Sequence, residues 1–242
     1  MFSIKHSIIK FNTIVTNCMK QTIYNNVRQL SSSHDMPDDV FELPPLMRFT
    51  PRGMPNVLKT LKNQFFTFWL IRPMIDNDFQ MNIFLNGAKQ ALSTISCNLA
   101  NDNIDGIQEM LTKEAYDEVK TNLAKYSPQM KERLKVNVED IIFCFPYDIS
   151  VERLSSDSAI IKIFVVYDCI VGLQDVVRDM AFNRKDLNLK TFFGFDKYLE
   201  NKICCNYEFK RHYVKGKDSQ WIVNKLLHIK DRDVLKMYVN LE

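Results

Sequence analysis

Glycine is scarce in this chain: six residues among 242, with no cluster. That excludes the phosphate-cradling P-loop and the dinucleotide-binding fingerprint, which need backbone able to approach a phosphate without an intervening Cβ. No Gly-x-Ser-x-Gly nucleophile elbow occurs either. Histidine is scarcer still, at four positions, His6, His34, His212 and His228. Cys204, Cys205, His212 and His228 fall on neighbouring predicted strands, yet no closely spaced ligand pairs of the zinc-site kind exist. The six cysteines, Cys18, Cys97, Cys144, Cys169, Cys204 and Cys205, show no paired spacing that would suggest a disulfide framework. They read as small buried hydrophobes. The apolar run from Phe65 to Ile71 falls far short of the roughly twenty residues that span a bilayer.

Acid is absent from the first thirty residues. The first Asp or Glu is Asp35, whereas Lys5, Lys10, Lys20 and Arg28 all precede Leu30. Ile4, Ile8, Phe11, Val15 and Met19 recur every three or four residues, so on a helix they line one face, away from the lysines. A basic, acid-free amphipathic leader is what a mitochondrial targeting peptide looks like. Arg28-Gln29-Leu30-Ser31 matches Arg, any residue, a large apolar residue, then cleavage before Ser31. The expectation is a targeting peptide over 1–30 and a protein of the mitochondrial matrix, possible contact with the inner-membrane surface included.

Removing the leader changes the charge. The chain has 32 Lys and Arg against 29 Asp and Glu; without Lys5, Lys10, Lys20 and Arg28 the balance is 28 against 29, a net −1. A nucleic-acid binder needs a basic patch large enough to release counterions, and no long basic run survives, so no nucleic-acid partner is expected. At 46% hydrophobic and 12% aromatic, the whole chain has the composition of an ordinary globular protein.

Residues 31–55 read as a Pro/Ser-rich linker, with Ser31-Ser32-Ser33 and Pro37, Pro44, Pro45, Pro51 and Pro55. After Pro55 the period is helical: Val57, Leu58, Leu61, Phe65, Phe68 and Trp69 form a stripe, Lys59 and Asn63 lie opposite and Lys62 at its edge. This helix could cap the core. It could also lie on a membrane or partner, with Phe65, Phe68 and Trp69 buried and Lys59, Lys62 and Arg72 on anionic headgroups. A second helix is expected over about 79–99, capped by Asp76 or Asn77 and interrupted at Asp102-Asn103. Shorter ones follow at about 104–111 and 113–126, and Ser127-Pro128 starts another.

The period then becomes extended. Strands are expected at 138–145, ended by Pro146, at 159–171, at about 203–214 and at 220–229, with a short strand over 191–195. Within the second, Ile161, Ile163, Val165, Tyr167 and Cys169 share a face. Lys215-Gly216-Lys217-Asp218 reads as a hairpin turn. Trp221 is expected as a core anchor, sharing a face with Val223, Leu227 and Ile229 against the parity of Lys225. Helices first and an antiparallel meander afterwards indicate α+β: N-terminal helices packed on a curved, mostly antiparallel four-stranded sheet, cone-like in outline. Tyr147-Asp148 and Tyr167-Asp168 are candidate acid–base pairs, but adjacent strand residues face opposite ways, which favours a core tyrosine with its aspartate outside. With no converging acid, base or nucleophile, no catalytic, cofactor-binding or metal residues are expected and the chain does not read as an enzyme.

Two stretches carry a resemblance. Phe84-Leu85-Asn86-Gly87-Ala88-Lys89-Gln90-Ala91, and Tyr207-Glu208-Phe209-Lys210-Arg211 continuing through Gly216 and Trp221 to His228, resemble the m-AAA protease-interacting family of mitochondria. The resemblance covers about 64–230, and departs where that family favours an acid before the tryptophan and before the last histidine; here stand Gln220 and Leu227. It implies a domain shared with the peripheral matrix subunit of the presequence translocase, here over 56–230, followed by a C-terminal tail at 231–242. It also implies a non-enzymatic matrix adaptor that associates with the inner-membrane m-AAA protease. Such an adaptor assists sorting or maturation of imported inner-membrane clients, among them the regulatory subunit of the calcium uniporter. A membrane-associated ribosome receptor or a translocase-type subunit of the same fold is the alternative.

Overall fold

Four stretches rich in β-branched and aromatic residues become four consecutive antiparallel strands, ordered as they follow in the chain: β1 (Ile141–Ser155), β2 (Ser158–Ile170), β3 (Lys202–Val214) and β4 (Ile222–Lys230). Each strand pairs with the next, so the sheet is an open meander with β1 and β4 at its edges. The computed structural model describes residues 43–52, 62, 63, 67, 71, 75–155, 157–174, 201–214, 217, 219–230 and 233, all within the unit Phe41–Glu242. The leader, the short strand expected over 191–195 and the C-terminal tail apart from Asp233 lie outside the described residues.

Strand β2 carries the alternation that specifies the sheet. Ile161, Ile163, Val165, Tyr167 and Cys169 are all buried on one face, as expected. Against that face packs α1 (Met81–Ala100) through Phe84, Ala88, Leu92, Ile95 and Leu99, spaced three or four residues apart. The two stretches that carry the family resemblance meet here. Phe84 packs edge-on to Phe209 at 5.4 Å and lies 4.8 Å from Trp221. Ala88 is small enough for its carbonyl to accept the Tyr167 hydroxyl at 2.9 Å, which satisfies a buried polar group inside the core. Trp221 is half-buried and packs against this core.

Helix α1 starts at Met81 after Gln80, with no side-chain cap. Asp76, expected as its cap, instead accepts from the Asp78 backbone N–H at 3.1 Å and from the Tyr213 hydroxyl at 2.9 Å, and pairs with Arg211. A cross-element partner thus displaced the local one. At the other end Asp102 takes φ 58°, the left-handed C′ conformation that Asp tolerates better than most residues, and pairs with Lys131 at 2.7 Å. A 3-10 turn (Asp105–Met110) leads to α2 (Lys113–Leu123), capped by Thr112, and then to α3 (Pro128–Glu132), capped by Ser127 with Pro128 in its first turn. The cap-then-proline reading of Ser127-Pro128 holds.

Three irregularities depart from the sequence pattern. Val138–Asp140 is a 3-10 turn rather than strand, and β1 runs straight through Pro146. Proline is tolerated there because β1 is an edge strand and its register shifts between Pro146 and Asp148, leaving Tyr147 as the extra residue of a bulge. A second shift pairs Glu208 with Lys225 but Phe209 with Val223, so Asn224 is extra in β4. That bulge reverses the parity assumed for the strand. Val223 faces the helices, whereas Leu227 and Ile229 join Val166 and Cys204 in a smaller cluster on the opposite face. The parity of Lys225, which conflicted with a single-faced reading, is explained by the same bulge.

Candidate functional site

The face of the sheet away from the helices holds the site. Residues 43–52, inside the stretch read as a linker, have no regular secondary structure but pack closely on the domain. Leu43, Leu46 and Met47 are buried in the main core, and Asn122 donates to the Leu46 carbonyl at 2.9 Å. Past the β4 edge, where the Leu226 N–H meets Met47 Sδ, the chain continues onto the outer face. There Phe49 packs edge-on to Phe164 at 5.9 Å. Asn206 on β3, fully buried, holds this strap by its backbone: Oδ1 accepts from the Arg52 N–H at 2.5 Å, and Nδ2 donates to the Arg52 carbonyl at 2.9 Å.

Between strap and sheet lies a cleft of about 290 Å³, small by the standard of ligand pockets. Phe49, Tyr147 and Phe164 give it aromatic walls; Arg52, Asp148, Lys162, Glu208 and Lys225 give it charge, and Thr50 and Ser150 give it hydroxyls. Strand register orders the sheet's part of the lining in two rows. Asp148, Phe164, Glu208 and Lys225 lie side by side across β1 to β4, and Ser150, Lys162 and Lys210 form the next row. Asp148 is paired with Lys62, and Glu208 with Lys225 at 3.6 Å and with the Asn224 amide. Arg52 has its guanidinium 5.7 Å from the centre of the Tyr147 ring. Tyr147 therefore lies on the outer face, not in the core: it keeps the outward parity of Phe145, and the bulge turns Asp148 to that face as well. Tyr167 does sit in the core, as expected.

The other chemistry-bearing side chains are spread through the core. Cys169, Cys204 and Cys205 are buried; burial pushes the Cys144 thiol up to about 12 and the Cys205 thiol well above its ordinary value. His228 is fully buried and faces the Tyr207 hydroxyl at 2.8 Å, and burial lowers its pKa to about 4. His212 sits 3.2 Å from the Ser158 hydroxyl near the strand ends. Among the described residues no group of three or more His, Cys, Asp and Glu is placed to hold a metal, and no helix is long and apolar enough to cross a membrane.

Of the site residues singled out from sequence, Arg28, Leu30, Ser31, Lys59, Phe65, Phe68, Trp69 and Arg72 lie outside the described residues. Lys62 is described: it is half-exposed and pairs with Asp148 on the edge of β1. Its neighbour Asn63, placed opposite the apolar stripe, is instead buried. Its amide donates to the Pro146 carbonyl at 2.9 Å and accepts from the Ile149 N–H at 3.0 Å, supplying partners to edge-strand groups on either side of the bulge. Thr67 and Ile71, four and eight residues further on, are buried as well. Sequence reasoning did not find the cleft. Its one visible signal was Lys162, a lone charge in the run from Ile160 to Val166, which marks the outer face of β2.

Fold and cleft together define an α+β domain with helices on one face of an open antiparallel sheet and a small charged cleft on the other. The chain is a distant homologue of the m-AAA protease-interacting protein 1, mitochondrial. It is 23% identical to the Rattus norvegicus protein over 180 residues and 22% identical to the Homo sapiens protein over 183 residues. Each match covers 74% of this chain and spans 60% of the relative's own length. No family model matches the chain, and no solved structure matches it.

Proposed function

We propose that this protein is a non-enzymatic adaptor of the mitochondrial matrix, peripheral to the inner membrane, that associates with the m-AAA protease and assists sorting or maturation of imported inner-membrane proteins, the regulatory subunit of the calcium uniporter among them. The observation that carries this reading is the homology over 74% of the chain to proteins named for interaction with that protease. The basic, acid-free leader supports the compartment. Cleavage is proposed between Leu30 and Ser31, directed by Arg28, and N-terminal sequencing of the protein recovered from mitochondria reads it directly. Surface contact by Lys59, Lys62, Phe65, Phe68, Trp69 and Arg72 remains the proposed route to the membrane; for Lys62 it requires exchanging the Asp148 partner for a headgroup.

Affinity purification from mitochondria, scored at once for protease and ribosomal subunits, tests the reading. Protease subunits should be enriched with ribosomal proteins at background. The reverse would transfer the protein to the ribosome-receptor alternative, against which the near-neutral charge after the leader already argues.

A further inference from the structure

Among the described residues, the outer-face cleft has a surplus of positive charge: Arg52, Lys162 and Lys225 against Asp148 and Glu208. Its two acids are occupied: Asp148 by Lys62, and Glu208 by Lys225 and the Asn224 amide. Arg52 and Lys162 have no acidic partner among the described residues. Lys162 also stands directly opposite Lys210 on the same face of the sheet, a like-charge cross-strand pair that is unfavourable unless an anion lies near it. Nor is Arg52 a loosely placed cation. Its backbone is held on both sides by the fully buried amide of Asn206, and its side chain is stacked near Tyr147.

We propose that this cleft binds a carboxylate-bearing peptide segment: an Asp or Glu side chain held by Arg52 and Lys162, with an adjacent apolar or aromatic side chain against Phe164 and Phe49. The cleft of about 290 Å³ lies at the small end of ligand-site volumes, which suits one or two side chains. The aromatic floor beside the cations selects a carboxylate attached to an apolar neighbour over a bare ion. Asp148 and Glu208 in the same wall work against a phosphate dianion, whose greater charge meets greater repulsion, and Ser150 and Thr50 offer hydroxyls to a peptide backbone. The inference rests on the cleft alone and stands or falls independently of the protease assignment.

The test uses the purified full chain and two capped peptides, Gly-Phe-Glu-Gly and Gly-Phe-Gln-Gly, followed by NMR chemical shifts. The Glu peptide should shift the signals of Lys162 and Phe164, and bind about tenfold more tightly than the Gln peptide. Lys162→Met and Arg52→Gln should each weaken it by about tenfold with the melting temperature unchanged, Lys162→Arg should retain it, and added salt should weaken it. Equal binding of the two peptides, no binding of either, or unchanged affinity in Lys162→Met overturns the proposal. Stronger shifts of the same signals by inorganic phosphate or cardiolipin-containing vesicles would overturn it in favour of a phosphate group. Binding of 3-phenylpropionate as tight as that of the Glu peptide would overturn the assignment to a peptide.

Discussion

Acidification should weaken this fold through one core residue, His228. It is fully buried on β4, paired across the ladder with Cys205, and its Nε2 lies 2.8 Å from the Tyr207 hydroxyl. A neutral imidazole can accept that hydroxyl's proton; an imidazolium cannot, and would be a buried charge. Burial lowers the pKa from 6.5 to about 4, with the Leu134 backbone acting weakly the other way. The unfolded chain therefore binds a proton near pH 6.5 that the folded one refuses until about pH 4. Stability from this group is fully present above pH 6.5 and is lost as the pH falls through the window to about 4. A difference of that size corresponds to about 3 kcal/mol at the bottom of the window, of which about 2 kcal/mol is already lost at pH 5. Urea unfolding at intervals from pH 7.5 to 5 reads the slope. His228→Gln keeps a side chain able to meet Tyr207 and should remove this part of the slope, even if it lowers stability throughout. Parallel curves for wild type and variant, or a His228 ring resonance that titrates near pH 6.5 in the folded protein, would refute the reasoning.

Three further outcomes are expected. Asn206→Leu removes both side-chain hydrogen bonds to the Arg52 backbone and should cost about 2 kcal/mol, or about 4–8 °C in Tm, with faster amide exchange in residues 43–52; unchanged exchange there would contradict the strap. Gly87→Ala should stabilise by about 0.5–1 kcal/mol in chemical denaturation, because Gly87 is exposed within α1 and an added Cβ meets nothing within 4 Å. Trp221→Ala should cost about 2–4 kcal/mol in the same assay, less than for a fully enclosed tryptophan because Trp221 is only half-buried against Phe79, Phe84 and Tyr213.

What was legible in the sequence is what regular backbone enforces. The five alternating apolar residues of β2 identified its buried face because a period of two has only two phases, and Ser127-Pro128 identified a helix start because cap and proline act within one turn. What was not legible shares a different cause. Pro146 did not end β1, because the strand is an edge and Asn63, more than eighty positions away, supplies partners beside the bulge. Asn224 reversed the parity of β4, and no pattern within that strand announces an extra residue. Residues 43–52 looked like a linker because nothing local orders them; Asn206 and Asn122, distant in sequence, do. In each case an irregular backbone group is satisfied by a tertiary polar partner, which hydrophobic periodicity does not register. The same irregular positions shape the cleft: the strap brings Arg52, the β1 bulge turns Asp148 to the outer face, and the β4 bulge places Lys225 beside Glu208. The cleft was hidden in the sequence for the reason that makes it a candidate site. It is assembled where three elements depart from regular geometry, and those departures bring two cations with no acidic partner among the described residues over an aromatic floor.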